Sequence, residues 1–169
     1  MDTDLTVREI QRKIVSAYDI RKDIFVPNVS WGYFRTHEAD LVMIHNGYLV
    51  EFEIKRSWED FLADFKKDAT HFEGKVFMLY YVVPESIADK CWEFIQNHEW
   101  EEPYNRGPKP CGLMTYDEGK DAPVKTRHFG QELSNYTDKS NKEYKLYLEE
   151  QNAIMRLGCM RLWNKQNTI

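Results

Sequence analysis

The sequence predicts an α/β protein, with a mixed central sheet flanked by helices, and three features of the chain carry this prediction. Asn46-Gly47 lies between two β-rich runs, and this dipeptide is the strongest local signal for a two-residue hairpin, because both turn positions require a positive φ. The almost continuous apolar run from Val76 to Val83 is typical of a central strand covered on both faces. Amphipathic segments with helix caps stand before and after these strands.

Two capping signatures place the first helices. Thr6 to Glu9 forms a capping box that begins a helix ending at about Tyr18. Ser57 is placed as the N-cap of a second helix, with Asp60 as its acidic partner. A third amphipathic helix is expected from Ser86 to His98.

The remaining strands are short. Ile24 to Val26 predicts a first strand that ends in a turn at Pro27-Asn28. Gly112 to Tyr116 and Val124 to Phe129 predict two more, and the segment from Glu99 to Pro110, rich in Pro, Gly and charge, predicts a surface loop.

The sequence divides into an α/β domain, residues 1–133, and a C-terminal helical extension, residues 134–169. Ser140 to Trp163 has the composition of a helix, but Gly158 interrupts the apolar pattern. Three alternatives stay open for this extension: it packs on the domain, it forms a homodimer, or it orders on a protein partner.

Composition excludes several classes of protein. A net charge of −5 tells against a protein that coats nucleic acid non-specifically, so any DNA contact must be local. Cys91, Cys111 and Cys159 are odd in number and widely spaced, which favours reduced thiols and a cytoplasmic location over disulfides or zinc. No signal peptide or membrane-spanning run is expected. Neither a P-loop nor a Gly-x-Ser-x-Gly elbow is present, and the five histidines lack metal-ligand spacing.

The hairpin register brings charged side chains together. With a two-residue loop, Leu41 lies opposite Phe52, and one position further out Asp40 lies opposite Glu53. Lys55 shares the face of Glu53. Like charges opposite one another destabilise a sheet, and a bound divalent cation would offset that cost, because Mg²⁺ is held by one or two carboxylates with waters and phosphate oxygens.

An acidic residue followed by a strand with Glu53-Ile54-Lys55 resembles the core of the PD-(D/E)xK nucleases, which implies a restriction-endonuclease-like sheet. The succession is similar to that of the MmcB-like DNA-repair family of this superfamily, over about Thr6 to Phe129. Its elements here are Glu38-Ala39-Asp40, Glu53-Ile54-Lys55-Arg56-Ser57, Asp60-Phe61, Asp64, Lys67, Tyr80-Tyr81-Val82-Val83-Pro84 and Cys111-Gly112-Leu113-Met114. Ala39 stands where the motif's name has proline, a residue that many relatives also lack.

The resemblance implies a site for Mg²⁺ or Mn²⁺ made by Asp40, Glu53 and the backbone carbonyl of Ile54. Lys55 would orient the attacking water, take up its proton or offset charge in the transition state, and we favour the last role because lysine needs a large pKa shift to act as a base. Glu9 and Lys67 are further candidates that the resemblance suggests. Glu9 also has a structural interpretation in the capping box, and Lys67 has one as part of a solvated face with Lys66.

The function expected from these features is metal-dependent hydrolysis of phosphodiester bonds in DNA, in repair or processing. One alternative is a catalytically silent protein of the same fold that binds DNA or a partner. Another is a plain α/β interaction module in which the acids are surface residues, and this leaves the pairing of Asp40 with Glu53 unexplained. Arg35 and His37, which precede the hairpin, are interpreted as solvated side chains.

Overall fold

In a computed structural model of the chain, the structure describes residues 4–29, 37–66, 75–100, 110–119, 121–132 and 140–166, with side chains up to Arg161. The described residues confirm the α/β class. Six strands form one mixed sheet in the order β1-β2-β3-β4-β5-β6, and helices flank it.

The strands are β1 Ile24–Val29, β2 Ala39–His45, β3 Tyr48–Ile54, β4 Val76–Pro84, β5 Cys111–Tyr116 and β6 Lys125–His128. The helices are α1 Val7–Val15, α2 Trp58–Asp64, α3 Ala88–Asn97, α4 Asn141–Tyr144 and α5 Leu148–Gln166, and a 3₁₀ turn, Glu85–Ile87, precedes α3. β3, β4 and β5 are mutually parallel, whereas β1, β2 and β6 run antiparallel to their neighbours. The central position of β4 accounts for its continuous apolar sequence.

The predicted hairpin register is confirmed. Leu41 pairs with Phe52, and the ladder continues to His45 opposite Tyr48. The turn residues Asn46 and Gly47 have φ of 51° and 84°, the left-handed conformation that a two-residue hairpin loop requires.

The predicted end of β1 at Pro27 is wrong. Pro27 lies within the strand and pairs with Leu41, and β1 continues to Val29. β1 is an edge strand, so a proline that lacks an N–H is tolerated there. The register is the same on both sides of Asn28, since Pro27 pairs with Leu41 and Val29 pairs with Ala39, so its φ of 51° is a local departure from strand geometry without an inserted residue.

The two faces of the sheet are covered differently. α1 covers one face, where Ile10 and Ile14 pack with β-strand residues such as Phe52 and Val82. The other face carries two separate apolar clusters. One lies under α4 and α5, with Val42, Ile44, Leu49, Tyr144, Leu146 and Ile154, and the other lies under α2 and α3, with Phe61, Leu79, Tyr81, Val83, Cys91 and Ile95.

The C-terminal helices pack on the sheet, which is the first of the three alternatives for residues 134–169. Tyr144 and Ile154 are buried in the cluster that contains Val26 of β1. Gly158, which interrupts the apolar pattern of the sequence, does not interrupt the helix, because α5 runs through it. A Cβ at Gly158 would lie 3.1 Å from Val26 Cγ1, so glycine lets the helix approach the strand closely. None of the helices in the described part of the chain is long and apolar enough to cross a membrane.

Gly112 of β5 provides a test of this packing. A Cβ at this position would lie 2.4 Å from Gly130 N and 2.4 Å from Tyr80 Cε1, so Gly112→Ala must displace backbone. We expect the substitution to lower the free energy of unfolding by about 1–3 kcal/mol, measured by urea denaturation. Gly119→Ala is the control, because its Cβ would meet only Asp117 Oδ1, at 3.7 Å, and an effect within about 0.5 kcal/mol is expected. Equal effects of the two substitutions would contradict the packing described for β5.

Candidate active site

Asp40 lies where β2 and β3 separate. The last pair of their ladder is Leu41 with Phe52, and one position further out the Asp40 Oδ2 atom accepts a hydrogen bond from the backbone N–H of Ile54 at 2.8 Å. A carboxylate therefore takes the place of a backbone acceptor at the end of the ladder. This bond fixes the orientation of Asp40 relative to Glu53 and Lys55, which flank Ile54.

The Lys55 ammonium is buried between two carboxylates. Its Nζ atom lies 2.7 Å from Glu53 Oε1 and 2.9 Å from Asp64 Oδ1. The three side chains are almost inaccessible, with exposed fractions of 3% for Lys55, 7% for Glu53 and 0% for Asp64. The backbone of Lys55 is held too, because its N–H donates to Val82 O at 3.0 Å and its carbonyl accepts from the Tyr116 hydroxyl at 3.3 Å.

Helix α2 brings Asp64 to this point. Ser57 caps the helix as predicted, since its hydroxyl accepts from Asp60 N at 3.1 Å. Asp64 follows Phe61 by three positions and so lies on the inward face of the helix. Its Oδ2 atom accepts a hydrogen bond from the Tyr81 hydroxyl at 3.1 Å. Tyr81 belongs to β4, so the site joins β3, α2 and β4.

Asp64 and Tyr81 are not among the site residues predicted from the sequence. A signal for Asp64 was present, because an aspartate within the apolar stripe that includes Phe61 and Phe65 calls for a buried partner. No local pattern pointed to Tyr81, whose approach to Asp64 depends on the parallel pairing of β3 with β4.

Burial is the main influence on the ionisation of Asp40. Burial raises the pKa of this carboxyl, and the Asp60 and Asp64 carboxylates raise it further, whereas the Ile54 N–H and the Lys55 ammonium lower it. The net direction is upward. An added cation would stabilise the ionised form of Asp40 against this effect of burial.

Lys55 stays an ammonium in this arrangement. Burial lowers its pKa, but the charges of Glu53 and Asp64 and their hydrogen bonds together outweigh burial, and the net direction is upward. For the Tyr81 hydroxyl, burial acts in the opposite sense and raises the pKa, so this hydroxyl keeps the proton that it donates to Asp64. The arrangement provides a fixed positive charge rather than a proton acceptor.

The donor chemistry fits a hard cation. In the residues that the structure describes, no group of three or more His, Cys, Asp or Glu side chains is arranged to hold a metal ion. A Mg²⁺ site needs fewer protein ligands, because one or two carboxylates with waters and substrate oxygens suffice. Asp40 and Glu53 would supply such a pair and the Ile54 carbonyl would be a further oxygen. A cation there would oppose the effect of burial, which raises the pKa of the Asp40 carboxyl.

The two further candidates are placed differently. Glu9 closes the predicted capping box: its Oε2 atom accepts from Thr6 N at 2.8 Å and from the Thr6 hydroxyl at 2.7 Å. These bonds lower the pKa of the Glu9 carboxyl. The Glu9 carboxylate is therefore bonded within the cap at the exposed start of α1. Lys67 lies outside the described residues.

Gln11 of α1 holds the strand that carries Asp40, a contact that the sequence did not indicate. Its Nε2 atom donates to the backbone carbonyl of Asp40 at 2.7 Å and to Asn28 Oδ1 at 3.0 Å. Gln11 therefore links Asn28 of β1 to the backbone of Asp40 on β2.

The interpretation of His37 as a solvated side chain is wrong. Its Nε2 atom lies 3.0 Å from Glu51 Oε1, and the two side chains are 7% and 0% exposed. Glu51 lies on the same face of β3 as Glu53. This face of the strand therefore carries two buried carboxylates, Glu53 with its partner Lys55 and Glu51 with its partner His37. His37 lies in the segment before β2, and no periodic apolar pattern in that segment predicted its burial. Arg35 lies outside the described residues.

No family model and no curated protein matches this chain. Among solved structures it is similar to a protein of unknown function from Silicibacter pomeroyi, with a TM-score of 0.57 and 14% sequence identity, over 96% of this chain and 90% of that chain. At this identity the likeness concerns the fold alone, and it extends over nearly the full length of both chains.

The buried Lys55 gives a testable prediction about stability. Lys55→Met would leave Glu53 and Asp64 facing each other without a cation, and we expect a loss of about 3–5 kcal/mol in the free energy of unfolding. The measurement is urea denaturation followed by circular dichroism. Lys66→Met is the matched control, because Lys66 is an exposed lysine in the turn that follows α2, and a change within about 0.5 kcal/mol is expected.

A double-mutant cycle isolates the interaction. In the Asp64→Asn background, Lys55→Met should cost less than in the parent, because one of the two carboxylates is already neutral. A cost that is equal in both backgrounds would show that Asp64 and Lys55 do not interact energetically.

Proposed function

We propose that this chain is a metal-dependent nuclease that hydrolyses phosphodiester bonds in DNA, in repair or processing. The observation that carries the proposal is the convergence of Asp40, Glu53 and Lys55 where β2 and β3 separate, with the Asp40 carboxylate bonded to the N–H of Ile54. Two carboxylates beside a fixed ammonium combine oxygen donors for a hard cation with a positive charge for a phosphate.

In this proposal Asp40, Glu53 and the Ile54 carbonyl hold Mg²⁺ or Mn²⁺. The ion, when bound, polarises the phosphate and acidifies a water molecule. Lys55 offsets negative charge that develops on the phosphate oxygens, a role that suits an ammonium whose pKa its neighbours raise. Asp64 positions Lys55, and Gln11 positions the backbone of Asp40.

We further propose that the chain is related to the PD-(D/E)xK nucleases and, within them, to the MmcB-like DNA-repair family that its sequence resembles. The mixed sheet with Asp40 and Glu53-Ile54-Lys55 on adjacent strands supports this assignment. DNA is the proposed substrate and the cytoplasm the proposed location, in keeping with Cys91, Cys111 and Cys159 as thiols rather than disulfides. A homodimer or a protein partner would use α5, which exposes Met160.

A specific observation favours a second candidate, a catalytically silent protein of this fold that binds DNA or a partner. Glu53 is almost fully buried and its Oε1 atom is bonded to Lys55, so a cation must compete with the ammonium for this carboxylate. In the silent protein that ion pair is permanent and purely structural.

The test is cleavage of labelled single-stranded, duplex and branched DNA with Mg²⁺, Mn²⁺ or EDTA. We expect metal-dependent cutting by the parent and a loss of about 100-fold or more in Asp40→Asn and in Glu53→Gln, because each removes a charge that would hold the ion. These substitutions keep the shape of the side chain. Glu59→Gln is the matched control, since Glu59 is an exposed carboxylate at the start of α2, and its activity should equal that of the parent.

The outcomes separate the candidates. A parent protein that binds DNA in EDTA and cuts none of the substrates with either metal would replace the nuclease by the silent binding protein. Cutting that survives both substitutions in folded protein would place the active site elsewhere in the chain.

A further inference from the structure

A groove of about 800 Å³ lies beside the edge strand β1, between α1 and α5. We call it the β1 groove. Its walls are largely apolar, with Phe25 and Pro27 from the strand and Met155 from α5. Arg8 of α1 and Arg161 of α5 add one guanidinium group from each flanking helix. Its size is in the range that binds organic ligands, about 300–1,000 Å³.

The β1 groove adjoins the candidate active site through two contacts. Gln11, which lines the groove, donates to the backbone carbonyl of Asp40 at 2.7 Å. On the α5 side, Arg161 Nη2 lies 3.6 Å from Glu38 Oε2, two residues before Asp40. Both helices that form the groove thus contact the segment that carries the first candidate metal ligand. A ligand in the groove would lie next to that segment.

Apolar walls combined with two cations select the class of ligand. A DNA duplex presents its phosphates outward and keeps its base faces stacked inside, so it offers nothing that gains from contact with Phe25 or Met155. An unpaired strand presents both groups: its base faces stack on aromatic and apolar side chains, and its phosphates pair with arginine. The chain has a net charge of −5, so this local pairing is the kind of contact that nucleic acid requires here.

We propose that the β1 groove binds unpaired nucleotides of single-stranded DNA, with base faces against the apolar walls and phosphates at Arg8 and Arg161. This inference rests on the proposed function for the choice of ligand, and it makes single-stranded DNA, or the unpaired region of a branched one, the substrate of the same site. Nucleotides in the groove lead the strand past Asp40.

Binding is measured in EDTA, which keeps it independent of cleavage. The probe is a short fluorescein-labelled oligothymidylate, compared by fluorescence anisotropy with a duplex of equal length. We expect the single strand to bind at least about tenfold more tightly, because stacking of one base is worth about 1–3 kcal/mol. Equal affinity for the duplex would overturn the proposal.

Two pairs of arginines test the location. Arg8→Ala with Arg161→Ala should weaken binding and reduce the salt dependence, by about 0.7 in the slope of log K against log salt for each phosphate that an arginine no longer neutralises. Arg12→Ala with Arg156→Ala is the matched pair, because these arginines are exposed on the same two helices and do not line the groove. An equal loss of affinity in both pairs would indicate general electrostatic attraction and would overturn the assignment to the groove.

Cys159 supplies a second readout that needs no change in the groove. It is exposed and lines the groove, whereas Cys91 and Cys111 are buried. Burial also raises the pKa of Cys91 to about 12, so maleimide should label only Cys159 in the folded protein. Oligothymidylate should slow this labelling several-fold, and Cys159→Ser should abolish it. Unchanged labelling at saturating oligothymidylate would overturn the proposal, as would protection by laurate alone, which would assign the groove to an acyl carboxylate.

Failure here is distinguishable from failure of the proposed function. Protection of Cys159 by a single strand, without cleavage in any metal, would leave the groove as a DNA site and remove the nuclease. Cleavage that depends on Asp40 and is unchanged by Arg8→Ala with Arg161→Ala would keep the nuclease and remove the groove.

Discussion

The ammonium of Lys55, buried between Glu53 and Asp64, is the interaction on which the rest of the candidate site depends. Burying carboxylates this close together without a cation would cost several kcal/mol. Lys55 removes that cost through contacts of 2.7 and 2.9 Å. The end of β3 and the inward face of α2 are therefore fixed relative to each other by charge, in addition to the packing of Phe61 against Tyr81.

The division of one sheet face into two apolar clusters explains how these charges come to be buried. The cluster under α4 and α5 and the cluster under α2 and α3 leave a strip of β3 between them, which carries Glu51 and Glu53. Apolar neighbours lower the local dielectric, so the charges in the strip must find partners within it. His37 partners Glu51 and Lys55 partners Glu53. Polar groups thus hold together the part of this face that apolar packing does not cover.

The features that the sequence predicted correctly depend on contacts between residues close in the chain, and those that it missed depend on contacts between distant elements. The hairpin, its register and the Ser57 cap are local, and the structure confirms all three. The strand end predicted at Pro27 was wrong because a proline ends a strand only where the missing N–H is needed for pairing. Pro27 lies on an edge strand, and the sequence alone does not show that β1 is at the edge. Asp64 meets Lys55 through the placement of a whole helix. The catalytic and metal roles of Asp40, Glu53 and Lys55 stay predictions.

The presence of Asp64 bears on whether a buried ion pair is compatible with a metal site. A cation at Asp40 and Glu53 competes with Lys55 for the Glu53 carboxylate, and a lysine with no other partner would then be a buried cation beside a divalent ion. Asp64 prevents this, because it retains the ammonium at 2.9 Å and is itself held by the Tyr81 hydroxyl. If Glu53 binds a metal as proposed, Lys55 would therefore stay charged and in place. In the proposed function, this second carboxylate, on α2, would allow Glu53 and Lys55 to form a structural ion pair in one state and to act in catalysis in another.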